Sequence, residues 1–83
     1  MLIWTLNSLY EVDPIERRIR RVHGEDPPTM RIGTDWRTYR QIKVQVGLPA
    51  VILWAISPEG ALQTTVTSNV VAVENQSDRE QTH

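Results

Sequence analysis

Residues 42–56 read IKVQVGLPAVILWAI, and they contain the clearest periodic pattern in the chain. Ile42, Val44 and Val46 alternate with polar residues, which is the two-residue period of a strand with one buried face. Residues 50–56 are apolar at successive positions, as expected of a central strand that is covered on both sides. The pattern predicts two neighbouring strands separated by a turn at residues 47–49.

The chain downstream of this region continues in the same way. Residues 57–60 read SPEG, with proline and glycine at the positions that a type I turn favours. Residues 61–67 are rich in β-branched side chains, and Val70–Val73 follows after Ser68 and Asn69. Consecutive antiparallel strands are the simplest arrangement for residues 38–74.

The N-terminal half allows two interpretations. Residues 13–16 read DPIE, which suits the start of a helix over residues 14–23 and suits equally a turn between strands at 8–12 and 17–23. The helix would have only ten residues and would crowd four arginines at repelling spacings. We favour the hairpin because the rest of the chain reads as β-structure, and the helix remains the alternative.

These patterns predict an all-β fold, a small SH3-like or OB-like barrel or a bent antiparallel sheet of five to seven strands. We expect one domain over residues 1–74 and a flexible polar tail over residues 75–83. The predicted strands lie near residues 3–6, 8–12, 17–23, 38–46, 50–57, 61–67 and 70–74. The predicted core comprises Leu6, Tyr10, Val12, Ile19, Ile42, Val44, Val46, Val51, Leu53, Trp54, Ile56, Leu62, Val66, Val71 and Val73.

The composition argues against several classes of function. The 83 residues include no cysteine and only two histidines, so we expect no disulfide, no metal site and no cofactor. No serine lies in a nucleophile-elbow motif and the four glycines are scattered, so we expect no enzyme. The longest apolar run is far shorter than the ~20 residues that span a bilayer, and the N-terminal residues 1–4 show no basic n-region of a secretory signal. The expected location is the cytoplasm, with no membrane partner.

Positive charge is concentrated in the middle of the chain. The net charge is −1, but residues 14–47 hold eight basic and four acidic residues. Trp36 and Tyr39 alternate with two of these arginines, which offers both stacking surface and guanidinium donors. The candidate partner-binding residues are Arg17, Arg18, Arg20, Arg21, Arg31, Trp36, Arg37, Tyr39 and Arg40. Alternatively, the arginines lie over aromatic rings, pair with Glu11, Glu16 or Asp35, and protect a sheet edge from aggregation.

Five short segments resemble small uncharacterised accessory proteins of actinobacterial tailed phages and prophages. They are Tyr10–Asp13, Arg18–Arg21, Trp36–Tyr39, Val46–Trp54 and Thr65–Ser68, within a likeness that covers residues 5–74. The resemblance implies a cytosolic protein of an infected bacterium that acts on a host factor. It also favours the hairpin over residues 8–23, and it carries no catalytic residues.

Three functions are compatible with these observations. The first is a non-enzymatic binding module for a host or viral protein. The second is a nucleic-acid-binding domain that uses the basic strand Arg17–Arg21 together with Trp36 and Tyr39. The third is a virion structural or assembly protein that acts by self-association, with a homo-oligomer as its working form.

Overall fold

The computed structural model describes residues 1–24, 32–56 and 58–75, with the side chains of Ala55 and Ile56 excepted. Arg31 and nearly all of the predicted tail lie outside the described residues. The strands are β1 (Leu2–Thr5), β2 (Ser8–Asp13), β3 (Arg18–Gly24), β4 (Arg37–Thr38), β5 (Gln41–Lys43), β6 (Pro49–Ile56) and β7 (Leu62–Glu74). The described residues contain no helix, so the all-β prediction is confirmed.

The seven strands form one curled antiparallel sheet, a half-barrel, in the order β4-β3-β2-β1-β7-β6-β5. The outermost strands, β4 and β5, are consecutive in the chain and are joined only by Tyr39 and Arg40. The Tyr39 N–H donates to the Arg17 carbonyl (2.8 Å), and the Arg40 N–H donates to the Leu53 carbonyl (2.8 Å). This link therefore holds the two ends of the sheet together and enforces its curl.

The hairpin interpretation of the N-terminal half is confirmed. Strands β2 and β3 pair antiparallel, with Val12 opposite Ile19, and both side chains are buried. The Asp13 carboxylate accepts hydrogen bonds from the N–H groups of Ile15 and Glu16, which is the local geometry that an aspartate before a turn provides. Arg17 closes the turn with a φ of 54°. Burial of Ile19 against β2 stabilises the strand where a short helix would be marginal.

The core lies inside the curl. It consists of Ile3, Tyr10, Val12, Ile19, Ile32, Tyr39, Ala50, Ile52, Trp54 and Val70, with Ile42 and Val44 packed partly buried against it. On β6 the buried residues are therefore Ala50, Ile52 and Trp54, and the intervening Val51 and Leu53 face outward. Burial of Tyr10, Val12, Ile19 and Trp54 agrees with the sequence-based core.

Several predicted core positions are wrong. Leu6, Val46, Val51, Leu62, Val66, Val71 and Val73 are 38–68% exposed. Alternation identifies two faces of a strand, but only the packing partner decides which face is buried, and on β7 the buried positions are Thr65, Thr67 and Val70. Two strand bounds also differ: predicted strand 38–46 is split into β4 and β5, and the strands predicted at 61–67 and 70–74 form one strand, β7.

Buried threonines on β7 fix the polar atoms of β6. The Trp54 indole Nε1–H donates to the Thr65 hydroxyl at 2.7 Å, and the Ala50 N–H donates to the Thr67 hydroxyl at 3.0 Å. The neighbouring Thr64 lies exposed on the outer face opposite Leu53. These bonds explain why polar residues occupy inner positions of β7.

Replacing Thr65 by valine is expected to destabilise the fold by about 1–3 kcal/mol, because the buried indole N–H loses its acceptor while the side-chain shape is kept. Thr64→Val is the matched control and should change the free energy of unfolding by less than about 0.5 kcal/mol. Urea unfolding followed by tryptophan fluorescence measures both. Equal effects of the two substitutions would contradict the assigned hydrogen bond.

Candidate interaction site

The outward face of the β2–β3 hairpin carries two oppositely charged cross-strand pairs. Glu11 lies opposite Arg20 and Asp13 lies opposite Arg18 in the strand register. The alternation that buries Tyr10, Val12 and Ile19 turns these four charged side chains to the other side of the sheet. Together with the ring that lies over them they form what we call the Trp36 cluster: Glu11, Asp13, Arg18, Arg20 and Trp36.

Both arginines of the cluster form ion pairs with their register partners. Arg20 Nη2 lies 2.7 Å from Glu11 Oε1, and Arg18 Nε lies 3.2 Å from Asp13 Oδ2. The arginine side chains are 41–42% exposed and the acidic side chains 26% exposed. The four formal charges cancel, so the hairpin face is charged but carries no net charge.

Trp36 lies against both guanidinium groups. Arg18 Cζ is 4.4 Å and Arg20 Cζ is 4.6 Å from the centroid of the ring, within the range of a cation–π contact. The segment before the tryptophan runs beside β3, where the Arg21 N–H donates to the Gly33 carbonyl (2.7 Å). The ring is half-buried and borders a shallow depression of about 280 Å³ near Pro14. Its position is therefore set by backbone pairing and by two cations.

Two other predicted site residues belong to the interior. The Tyr39 side chain is only 5% exposed and is part of the core, so its ring is not presented for stacking with a partner. Burial raises the pKa of the Tyr39 hydroxyl, the Asp13 charge raises it further, and Arg17 opposes this. Arg37 lies opposite Ile19 in the strand register, and its Cζ is 4.2 Å from the ring centroid of buried Trp54.

The remaining predicted arginines are distributed around the cluster. Arg17 and Arg40 are exposed. The Arg17 carbonyl accepts the hydrogen bond from the Tyr39 N–H, and Arg40 is the next residue after Tyr39. Neither arginine forms an ion pair with the part of the chain that the structure describes. Arg21 is half-buried. The structure thus brings Arg18, Arg20 and Trp36 together, places Arg17 and Arg40 nearby, and turns Arg37 and Tyr39 inward.

From the sequence, Glu11 was among the acids expected to pair with the arginines, whereas Asp13 was expected in the turn alone. Asp13 does both, since one carboxylate oxygen accepts the turn N–H groups and the other meets Arg18. The hairpin register contained this information, because residues at equal distance from a turn face each other across it. Among the residues that the structure describes, no group of three or more His, Cys, Asp or Glu is arranged to hold a metal ion.

Asp13 is expected to lower the free energy of unfolding as the pH falls. The hydrogen bond from the Glu16 N–H, then those from Arg18 and Ile15, hold the pKa of Asp13 below its ordinary value despite partial desolvation. A carboxyl group with a lowered pKa in the folded state stabilises the fold above its unfolded pKa, near 3.9, and loses that contribution as the pH falls through the folded value. Asp13→Asn should therefore lower the urea midpoint at pH 7, and the difference from wild type should vanish near pH 2.

The control for this titration is Asp35→Asn, since Asp35 is exposed and has no ion pair with the described residues. Its midpoint at pH 7 should stay close to that of the wild type, because the substitution removes no ion pair within the described residues. A deficit of Asp13→Asn that stays constant from pH 7 to pH 2 would show that the charge of Asp13 is not what stabilises the hairpin.

In chemical terms the cluster is a neutral, amphipathic surface with an aromatic ring at its centre.

No helix within the described ranges is long and apolar enough to cross a membrane. Comparisons of the chain with protein-family models, with curated proteins and with solved structures found no match.

Proposed function

We propose that this chain is a non-enzymatic protein-binding domain that contacts its partner through the Trp36 cluster. The observation that supports it is the half-buried tryptophan ring held against two ion-paired arginines. Tryptophan and arginine are the residue types most enriched at the energetic centres of protein interfaces. Because the ring and both guanidinium groups are already held in place, binding orders few additional side chains.

The charge balance of the cluster favours a protein over a nucleic acid. A nucleic-acid surface gains affinity from cations that neutralise phosphates, whereas Arg18 and Arg20 are already neutralised by Glu11 and Asp13. Each guanidinium has five N–H donors, and its acid uses only part of them. The other donors suit the carbonyl and side-chain oxygens of a polar protein surface around an apolar contact with the ring.

A nucleic-acid-binding domain is the second candidate, and Arg17 and Arg40 support it because both are exposed and have no ion pair within the described ranges. With Tyr39 buried, Trp36 is the remaining residue of the predicted Trp36–Tyr39 pair that could stack on a base.

We further propose that the curled sheet is an SH3-like or OB-like barrel and that the protein acts in the cytoplasm. The resemblance to phage accessory proteins makes a host or viral protein the expected partner.

The test is affinity capture with the full chain, using lysates of actinobacterial cells with and without phage infection. A captured protein is then purified, and its Kd is measured for wild type, Trp36→Ala and the control Thr38→Ala, an exposed neighbour on β4. Loss of a central aromatic contact is expected to raise the Kd about 30-fold or more, and Thr38→Ala should leave it within about twofold. Circular dichroism establishes that each variant keeps its β-structure.

A partner that binds wild type and Trp36→Ala equally would refute the proposal. Binding to single-stranded nucleic acid that weakens steeply with salt, and that is lost in the Arg17→Ala, Arg40→Ala double variant but kept in Trp36→Ala, would establish the second candidate instead. Self-association that Trp36→Ala leaves unchanged would point to the assembly role.

A further inference from the structure

A second surface, on the outer face of β5, β6 and β7, is apolar and uncovered. In the strand register Lys43, Val51 and Val66 form one row across the three strands, and Gln41, Leu53 and Thr64 form the next. Val51 is 38% exposed, Val66 is 56% exposed, and Leu62 at the start of β7 is 63% exposed. Soluble monomers seldom leave adjoining cross-strand apolar side chains open to water without a function.

The shape of this face suits a helix. A shallow depression of about 250 Å³ lies between Gln41, Lys43, Val51 and Leu53. An incoming strand would need a sheet edge, but the edge strands β4 and β5 have only two and three residues. A helix instead packs its apolar side onto the face of a sheet, which is the common way for such a face to be buried.

The charges around the face specify the partner further. Lys43 stands in the apolar row, and exposed Arg40 lies beside Leu53, to whose carbonyl its backbone N–H donates. Neither cation has an ion pair in the portion of the chain that is described, and the outward positions of β5 to β7 named above include no acidic residue. A second copy docked face to face would bring lysine toward lysine without a counter-charge. An acidic partner would supply one.

We propose that the outer face of β5–β7 docks an acidic amphipathic helix of a partner protein, with its leucine-like side chains over Val51, Leu53 and Val66 and its carboxylates toward Lys43 and Arg40. The surface is separate from the Trp36 cluster. One protein therefore offers two docking faces, and it is able to connect two partners or grip one partner at two places.

The experiment uses the full ¹⁵N-labelled chain and three synthetic peptides of about 18 residues, five helical turns each. The first carries leucines along one helical stripe with flanking glutamates, the second has lysines in place of the glutamates, and the third has the composition of the first with its leucines scrambled. Amide shift changes on titration are expected with the first peptide alone, and they should centre on residues 41–43, 51–53 and 64–66.

Two substitutions test the two halves of the proposal. Lys43→Glu should weaken binding of the glutamate peptide about threefold to tenfold and shift the preference toward the lysine peptide. Val66→Thr, which keeps shape and β-propensity, should weaken binding of the glutamate peptide by about fivefold through loss of apolar contact. Val22→Thr, at an exposed valine on β3, should leave the affinity unchanged.

Four results would overturn the proposal: equal binding of the glutamate and lysine peptides, shift changes that centre on the Trp36 cluster, no binding up to about 1 mM peptide, or a concentration-dependent dimer that Val66→Thr abolishes. The last would assign the face to a second copy. The peptide titration tests the face of β5–β7 and the partner capture tests Trp36, so either proposal can fail without the other.

Discussion

The two-residue link between β4 and β5 sets the shape of the whole sheet. It joins the first and last strands of the sheet order, so the sheet must curl until those ends meet. The backbone N–H groups of Tyr39 and Arg40 bond to opposite ends of the sheet, and the Tyr39 side chain enters the core between them. The curl in turn encloses an apolar interior, which a flat sheet of this size would leave open to water.

Curling divides each strand into an enclosed and an outward position, and that division creates both candidate surfaces. On the hairpin it encloses Val12 and Ile19 and presents two acid–arginine pairs. On β6 and β7 it encloses Ile52 and presents Val51 and Val66, because a single curled sheet covers only its inner face, even where a strand is apolar at every position. The two faces differ in chemistry. The hairpin face carries charged side chains whose charges cancel, whereas the outer face of β5–β7 is apolar with two cations, Lys43 and Arg40, beside it.

The Trp36 cluster has a structural role in the hairpin, and in the proposed function it is also the surface that contacts the partner. Partly exposed ion pairs add little net stability, because water competes for both charges and the long side chains lose freedom. Their value lies in position: the arginines are held by acids on the neighbouring strand, and the ring is held by the arginines. A binding surface and an internally paired face are alternatives at the level of sequence. The geometry makes them compatible, because pairing uses only part of each guanidinium and leaves the ring partly exposed.

β-Structure over residues 50–74 was predictable, since the apolar run at 50–56 and the β-branched residues at 61–67 are local properties of the chain. If residues 17–23 form a strand, the sequence also predicts that Arg18 and Arg20 share one face with acids within reach. The folded chain adds which face of β6 and β7 is enclosed, that Tyr39 is buried and that Trp36 covers the arginines. Those outcomes depend on contacts between residues distant in the chain, and local periodicity specifies that a strand has two faces without specifying what either face will meet.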